Sequence, residues 1–327
     1  MADAFDALLP ARLPEPVEAE VYAPSNIALS KYWGKRDAAL NLPLNSSLSI
    51  SLADWGTRTR VVPADADAVV LNGIKVDSGD AFARKVLRFV DRFRRGQDAP
   101  VRIETVNSIP TAAGLASSAS GFAALTGALN GAFQVGLSLE AQSMLSRYGS
   151  GSATRSFWHG FVRWDRGEVA DGADSHGRAL DVVWPEFRIA IVPVDTGPKA
   201  QSSTDGMTHT VETSPLFPPW PARAEADCAD IERAVRARDF ATLGALAEAN
   251  ALAMHATMMA ARPALTYLKP ESWAVLGRLW AARADGLEAY ATMDAGANVK
   301  LIFLAESEAD VRSNFPTAEV ILPFSSN

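Results

Sequence analysis

Ser108-Ile109-Pro110-Thr111-Ala112-Ala113-Gly114-Leu115-Ala116-Ser117-Ser118-Ala119-Ser120-Gly121 lies near the middle of this 327-residue chain and decides how the rest is read. Small residues dominate it, so its backbone can approach a ligand closely. It joins a strand-like run, 101–106, to an alanine-rich helical one. A helix start leaves its first N–H groups without partners and carries the positive end of the helix dipole. Together these form an anion site, most often for phosphate. The hydroxyls of Ser117 and Ser118 add donors and offer hard oxygen to a metal ion. A tightly packed helix start has the same composition, but a second segment shifts the balance. Gly149-Ser150-Gly151-Ser152-Ala153-Thr154-Arg155-Ser156 sets a comparable array of donors beside a fixed cation. Two such cradles predict a substrate and a cosubstrate that both carry phosphate.

Outward from these loops the periodicity alternates between strand and helix. Residues 18–23, 47–52 and 57–62 alternate with period two, and Leu71-Asn72-Gly73-Ile74 marks a hairpin turn. Phe82, Val86, Leu87, Phe89, Val90 and Phe93 form a helical stripe. Helices are predicted at 117–133, 138–148, 222–236, 238–259 and 271–285, with a short one near 307–314. Further strands are predicted at 160–165, 187–194, 289–293, 299–304 and 319–322. Residues 1–17, with three prolines, read as a loose arm, and 195–221 as a loop. Strand runs mixed with helix runs indicate an α+β protein. A boundary near residue 190 divides it into an N-terminal domain, 1–190, and a C-terminal one, 191–327.

The composition narrows the function. A net charge of −7 argues against nucleic acid as the main partner. One cysteine, Cys228, excludes an internal disulfide, and four scattered histidines lack zinc-site spacing. The acidic N-terminus does not read as a secretory signal, and no apolar run approaches the roughly 18 residues that span a bilayer. The expectation is a soluble cytoplasmic enzyme. There is no GxxxxGK[ST] loop and no kinase catalytic loop. Gly149-Ser150-Gly151 fails the dinucleotide fingerprint at Thr154. His159, in an aromatic stretch, reads as core or subunit contact, and His255 as a structural histidine.

Lys31, Lys35 and Arg36 crowd an aromatic pair in Asn26-Ile27-Ala28-Leu29-Ser30-Lys31-Tyr32-Trp33-Gly34-Lys35-Arg36. Far downstream, Asp294-Ala295-Gly296-Ala297-Asn298 sets one acid between a strand and a glycine turn. In this order, and with the two small-residue loops between them, these segments resemble the diphosphomevalonate decarboxylases of the GHMP small-molecule kinase superfamily. The resemblance runs from about residue 20 to 305 and includes Asn45-Ser46-Ser47-Leu48-Ser49 and His255-Ala256-Thr257-Met258. It implies a two-domain fold, with a ribosomal-protein-S5-domain-2-like N-terminal half and a ferredoxin-like C-terminal half. It also implies ATP-dependent phosphorylation of the 3-hydroxyl of mevalonate diphosphate, then loss of phosphate and carbon dioxide to give isopentenyl diphosphate.

The resemblance also implies roles, residue by residue. Asp294, Lys31 and Arg155 would be catalytic: Asp294 takes or orients the hydroxyl proton, Lys31 pairs with it, and Arg155 holds the substrate carboxylate. Tyr32, Trp33, Gly34, Lys35, Ser150, Gly151, Ser152, Ala153, Thr154 and Thr204 would bind substrate. Ala112, Ala113, Gly114, Leu115, Ala116, Ser117, Ser118 and Ser120 would hold ATP, with Ser118 near Mg²⁺. A homodimer is implied. Two departures stand out: Ala297 replaces the family's proline, and Thr204 stands where many bacterial members carry arginine. The alternatives are decarboxylation of mevalonate 5-phosphate, 3-phosphorylation of mevalonate alone, or a non-catalytic ligand sensor on the same fold.

Overall fold

The computed structural model describes residues 4–109, 118–195, 197 and 201–324. Its framework is one long antiparallel pair, β1 (Ala19–Ser30) and β4 (Ser47–Pro63), with the short strands β2 (Lys35–Asp37) and β3 (Leu42–Pro43) between them. The two alternating runs at 47–52 and 57–62 are therefore one strand. The interruption is a bulge: Pro24 opposes Gly56 while Asn26 opposes Ser51, and Ala53 takes a positive φ of 49°. Tyr22 fixes that kink by donating its hydroxyl to the Ala53 carbonyl at 2.9 Å. A bulge bends a strand without ending it, so β4 serves two sets of neighbours. Its second half pairs with β7 (Val101–Asn107) and its first half with β8 (Phe161–Trp164). Beyond these, β5 (Ala68–Leu71), β6 (Ile74–Val76) and β9 (Gly177–Ala179) complete a seven-stranded sheet. The β5–β6 hairpin turns at Asn72 and Gly73, both at positive φ, as a tight two-residue turn requires.

Helices α2 (Ala81–Arg94), α3 (Ser118–Ala132) and α4 (Leu139–Ser146) contribute to the N-terminal core, α3 directly against β1 and β4. Residues 4–17 are not a loose arm. A short helix, α1 (Ala4–Leu8), leads a segment whose Phe5, Leu9 and Leu13 are buried, Phe5 edge-on to Phe89, Phe93 and Tyr148. Three apolar residues spaced by four outweigh three prolines.

The second sheet has the order β11-β12-β10-β13, from β10 (Phe187–Val192), β11 (Ala289–Thr292), β12 (Val299–Leu304) and β13 (Glu319–Ile321). The chain between 195 and 221 is not all loop: α5 (Ser203–Thr213) starts at Ser202, whose hydroxyl accepts the Asp205 N–H at 3.1 Å. Thr208, Thr210 and Thr213 each donate to the carbonyl four residues back, so these hydroxyls are satisfied within the helix. Helices α6 (Trp220–Ala237), α7 (Phe240–Met259), α8 (Pro270–Ala284) and α9 (Glu308–Asn314) complete this half. One apolar cluster runs from its sheet into Ile27, Leu29, Leu48 and Ile50 of the first. Among the described residues no helix is long and apolar enough to cross a membrane.

Candidate functional site

Where β1 ends, the chain turns from an apolar strand into Lys31-Tyr32-Trp33-Gly34. Lys31 is 2% exposed, and its Nζ donates to the Ala28 carbonyl and to Asp294 Oδ1, each at 2.8 Å. Asp294 lies in the β11–β12 hairpin, so this ion pair joins the two halves of the molecule. A second cation, Lys300 on β12, approaches the other carboxylate oxygen at 3.3 Å. Burial works against ionisation of Asp294, but Lys31 and then Lys300 hold its carboxyl far below the usual range. Burial also pushes the Lys31 ammonium down to about 8, against the opposing pull of Asp294. At neutral pH the pair is charged.

The hairpin carrying Asp294 is held at several points. Asn298 Oδ1 accepts the N–H groups of Val194 and Asp195 at 2.7 and 2.8 Å, and Ser272 donates to the Ala297 carbonyl at 2.6 Å. Rigidity that a proline at 297 would supply covalently is here supplied by hydrogen bonds. The turn after Lys31 needs a glycine: Gly34 has φ +110°, and a Cβ there would meet Phe217 at 2.7 Å.

These groups open on a cavity of about 410 Å³. Among the described residues Lys31, Lys35, Lys85, Arg155 and Lys300 line it, against a single carboxylate, Asp294. Arg155, on the 3-10 turn Gly151–Arg155, is 3% exposed and donates to Ser47 Oγ at 2.6 Å. Its Nε has no partner among the described residues, and no carboxylate pairs with it there. Burial lowers its guanidinium to about 10, still fully charged at neutral pH. Lys35 is lowered by burial, and Lys85 by burial and then by Lys35. A buried cation without a carboxylate partner is costly, and Arg155 is one. With the other cations around it, it suits an anion of high charge.

Several predicted residues line the same cavity: Tyr32, Trp33, Lys35, Ser150, Gly151, Ser152, Thr204 and Ser118. The two small-residue segments meet there, with Ser150 Oγ 3.5 Å from Ser118 Oγ and 3.2 Å from Ser152 Oγ. Residues 112–117 lie outside the described residues. Other predicted residues support the site from behind. Ser120 faces the sheet, its hydroxyl 3.0 Å from Ser25 Oγ and 2.7 Å from Thr57 Oγ1, because a two-residue step on a helix turns it away from Ser118. Gly34, Ala153 and Thr154 are buried off the cavity, Thr154 donating to the Gly151 carbonyl at 2.8 Å. His159 is exposed rather than core. His255 is buried against Asp294 and Lys31, and burial followed by the Lys31 cation pushes it down to about 4.

Sequence reasoning missed Lys300 and Lys85. Lys300 had a signal: it is a lone charge in the apolar strand Val299-Lys300-Leu301-Ile302-Phe303. Lys85 had none, since basic residues rim its whole helix.

Two family models match the chain: the diphosphomevalonate decarboxylase-like N-terminal domain over residues 23–177, and the mevalonate 5-diphosphate decarboxylase C-terminal domain over residues 189–319. Human diphosphomevalonate decarboxylase is 40% identical over 315 residues, 88% of this chain and 77% of that protein. The crystal structure of mevalonate diphosphate decarboxylase from Staphylococcus aureus superposes with a TM-score of 0.87 at 36% identity, covering 93% of this chain and 95% of that one. A structure of MDDEF in complex with MVAPP, AMPPCP and magnesium gives 0.86 at 36% identity, over 94% and 96%. With sequence and architecture agreeing over nearly its whole length, the chain belongs to the diphosphomevalonate decarboxylase family.

Proposed function

We infer that this chain catalyses the ATP-dependent decarboxylation of mevalonate 5-diphosphate to isopentenyl diphosphate, releasing ADP, phosphate and carbon dioxide. One observation carries this beyond family membership: among the described residues five cations face one carboxylate in one cavity of a chain whose net charge is −7. That charge balance suits a diphosphate, a carboxylate and a nucleotide triphosphate held together.

The residue roles are our proposal. Asp294, kept ionised by Lys31 and Lys300, accepts a hydrogen bond from the 3-hydroxyl and takes its proton during phosphoryl transfer. Its low basicity fits a transfer in which little proton abstraction precedes bond breaking to the leaving ADP. Arg155 receives the substrate carboxylate, to which its planar fork can bond bidentately. As phosphate leaves C3, the C–C bond to the carboxylate supplies the electrons of the new alkene and carbon dioxide departs. Lys35, Tyr32, Ser150, Ser152 and Thr204 hold the substrate diphosphate, and Ser118 faces the nucleotide phosphates.

Magnesium fits this donor set, because the Ser118, Ser150 and Ser152 hydroxyls are hard oxygen donors. Among the described residues there is no cluster of three His, Cys, Asp or Glu side chains. Phosphate oxygens and water would therefore complete its coordination, with Ser118 as the protein ligand. Bound there, the ion neutralises charge on the phosphates of ATP.

We place the domain boundary between β9 and β10 rather than at 190, because a cut at 190 would divide β10. We also propose a cytoplasmic homodimer, which sedimentation of the purified protein would test. The central test is ATP-dependent release of labelled carbon dioxide from carboxyl-labelled mevalonate diphosphate, with mevalonate 5-phosphate in parallel. Release from the diphosphate supports the assignment. Release only from the monophosphate would move it to the sister activity, and ADP without carbon dioxide would reduce it to a kinase.

A further inference from the structure

Lys31 is fixed at its main chain as well as at its ammonium. Its carbonyl accepts the Asn45 side-chain amide at 2.8 Å, from the N-terminal half. Its N–H donates to Asn250 Oδ1 at 2.8 Å, from α7 in the other half. Asn250 in turn donates its Nδ2 to Asp227 Oδ2 at 2.9 Å, from α6. Asn250 is fully buried and Asp227 is 3% exposed. The remaining Asp227 oxygen is paired with Arg223 at the surface.

The polarity of this chain is determined by its terminal member. An ionised carboxylate only accepts, so Asp227 forces Asn250 to present its NH₂ to α6 and its oxygen to Lys31. In the flipped orientation an NH₂ would confront the Lys31 N–H, leaving two donors face to face. Neither Asp227 nor Asn250 is among the described residues that line the cavity; Asn250 meets it through the main chain of Lys31.

We propose that Asp227 and Asn250 are positioning residues. They lock the main chain at the end of β1 to the half of the molecule that carries Asp294, and so place the Lys31 ammonium on the Asp294 carboxylate. The inference rests on the reading of Lys31 and Asp294 as the reacting pair. Two consequences follow from hydrogen-bond chemistry alone. Asn250→Asp keeps an acceptor for Lys31 but sets two carboxylates against each other. Adding Asp227→Asn restores a donor–acceptor match: the bond between 227 and 250 runs in the opposite direction, and the acceptor facing the Lys31 N–H is kept.

The test compares Asn250→Ala, Asn250→Asp and the double variant Asp227→Asn/Asn250→Asp with the unaltered protein. Three readouts are used: kcat with KM for both substrates, the melting temperature, and hydrogen exchange at the Lys31 amide. Misplacing a reacting group by about 1 Å costs about 10²-fold in rate. The single variants should therefore lose about that much kcat with KM for ATP unchanged. Asn250→Ala, which removes the acceptor, should also lose Lys31 amide protection, and the double variant should recover the kcat that Asn250→Asp loses. Wild-type kcat in Asn250→Ala would overturn the proposal. So would a double variant that regains its melting temperature while its kcat stays at the Asn250→Asp value. Should Asn250→Ala fail to fold, the swapped pair decides alone. Amide exchange reads the contact whatever the substrate, so an error in the assigned reaction would show as wild-type inactivity with the Lys31 protection pattern intact.

Discussion

Two buried arginines eight residues apart show how one side chain serves the fold and another the ligand. Arg147 closes α4 and is fully buried; it donates to the carbonyls of Leu40, Gly172 and Ser175 at 3.0, 2.9 and 2.6 Å and lies over the Tyr148 ring. Two stretches of irregular chain, the turn between β2 and β3 and the loop between β8 and β9, are tied to the end of α4 by those bonds. Arg155 is nearly as buried, yet among the described residues its one hydrogen bond is to Ser47, and it opens on the cavity beside the Trp164 ring. The difference lies in what surrounds each charge. Where carbonyls accept from a guanidinium, the fold depends on it. Where they do not, the desolvated charge stands ready for an anion, and the fold bears a cost that binding relieves.

The comparison can be broken first at Asp294, the one acid that the cavity's cations face. Asp294→Asn should lower kcat by about 10³-fold and also lower the melting temperature, because the proton acceptor is lost and Lys31 and Lys300 are left buried without their counter-ion. Single-turnover ADP and carbon dioxide formation measures this.

The next effect separates the arginines themselves. Arg155→Gln should reduce kcat/KM by about 10²-fold and leave the melting temperature unchanged or raised, since an uncompensated buried charge is removed. Arg147→Gln should do the reverse, costing about 3 kcal/mol of stability by leaving buried carbonyls unpaired. Equal losses of melting temperature in both variants would dissolve the distinction.

A pH profile sharpens it further. Lys31 carries its charge below about 8 and loses it above. The kcat/KM profile, which reports the free enzyme, should therefore fall on the alkaline side from about pH 8. Lys31→Arg should move that limb upward, beyond the range in which a lysine titrates. A profile flat to pH 10 in the unaltered protein would show that Lys31 does not govern the rate.

The smallest effect concerns the hairpin. Ala297→Pro should stabilise by about 0.4–1 kcal/mol through the unfolded state, with kcat unchanged. Calorimetry on the two proteins would detect it. A large gain in kcat would mean that Ser272 and Asn298 do not hold the loop as tightly as the geometry indicates.

Much of this was legible in the chain. The helices from 220 onward, the Asn72-Gly73 hairpin and the strands at 161–164, 187–192 and 299–304 follow from period and turn chemistry. The failures have specific causes. The gap read between 52 and 57 is a bulge, because local sequence does not distinguish a kinked strand from two strands. The helix α5 was hidden by threonines whose hydroxyls bond to their own backbone. Phe5, Leu9 and Leu13 were discounted because prolines lie among them.

By itself the sequence determined the class of chemistry, because small-residue loops, a lysine-rich turn and a solitary acid are properties of residue type and order. Only the tertiary structure decided which charges are paired. Lys300 joins Asp294, Arg147 is consumed by carbonyls, Arg155 is left open, and Ser120 turns into the sheet. Those outcomes depend on the distance and desolvation between residues up to 263 positions apart, and electrostatic energy is a function of position in space rather than position in the chain.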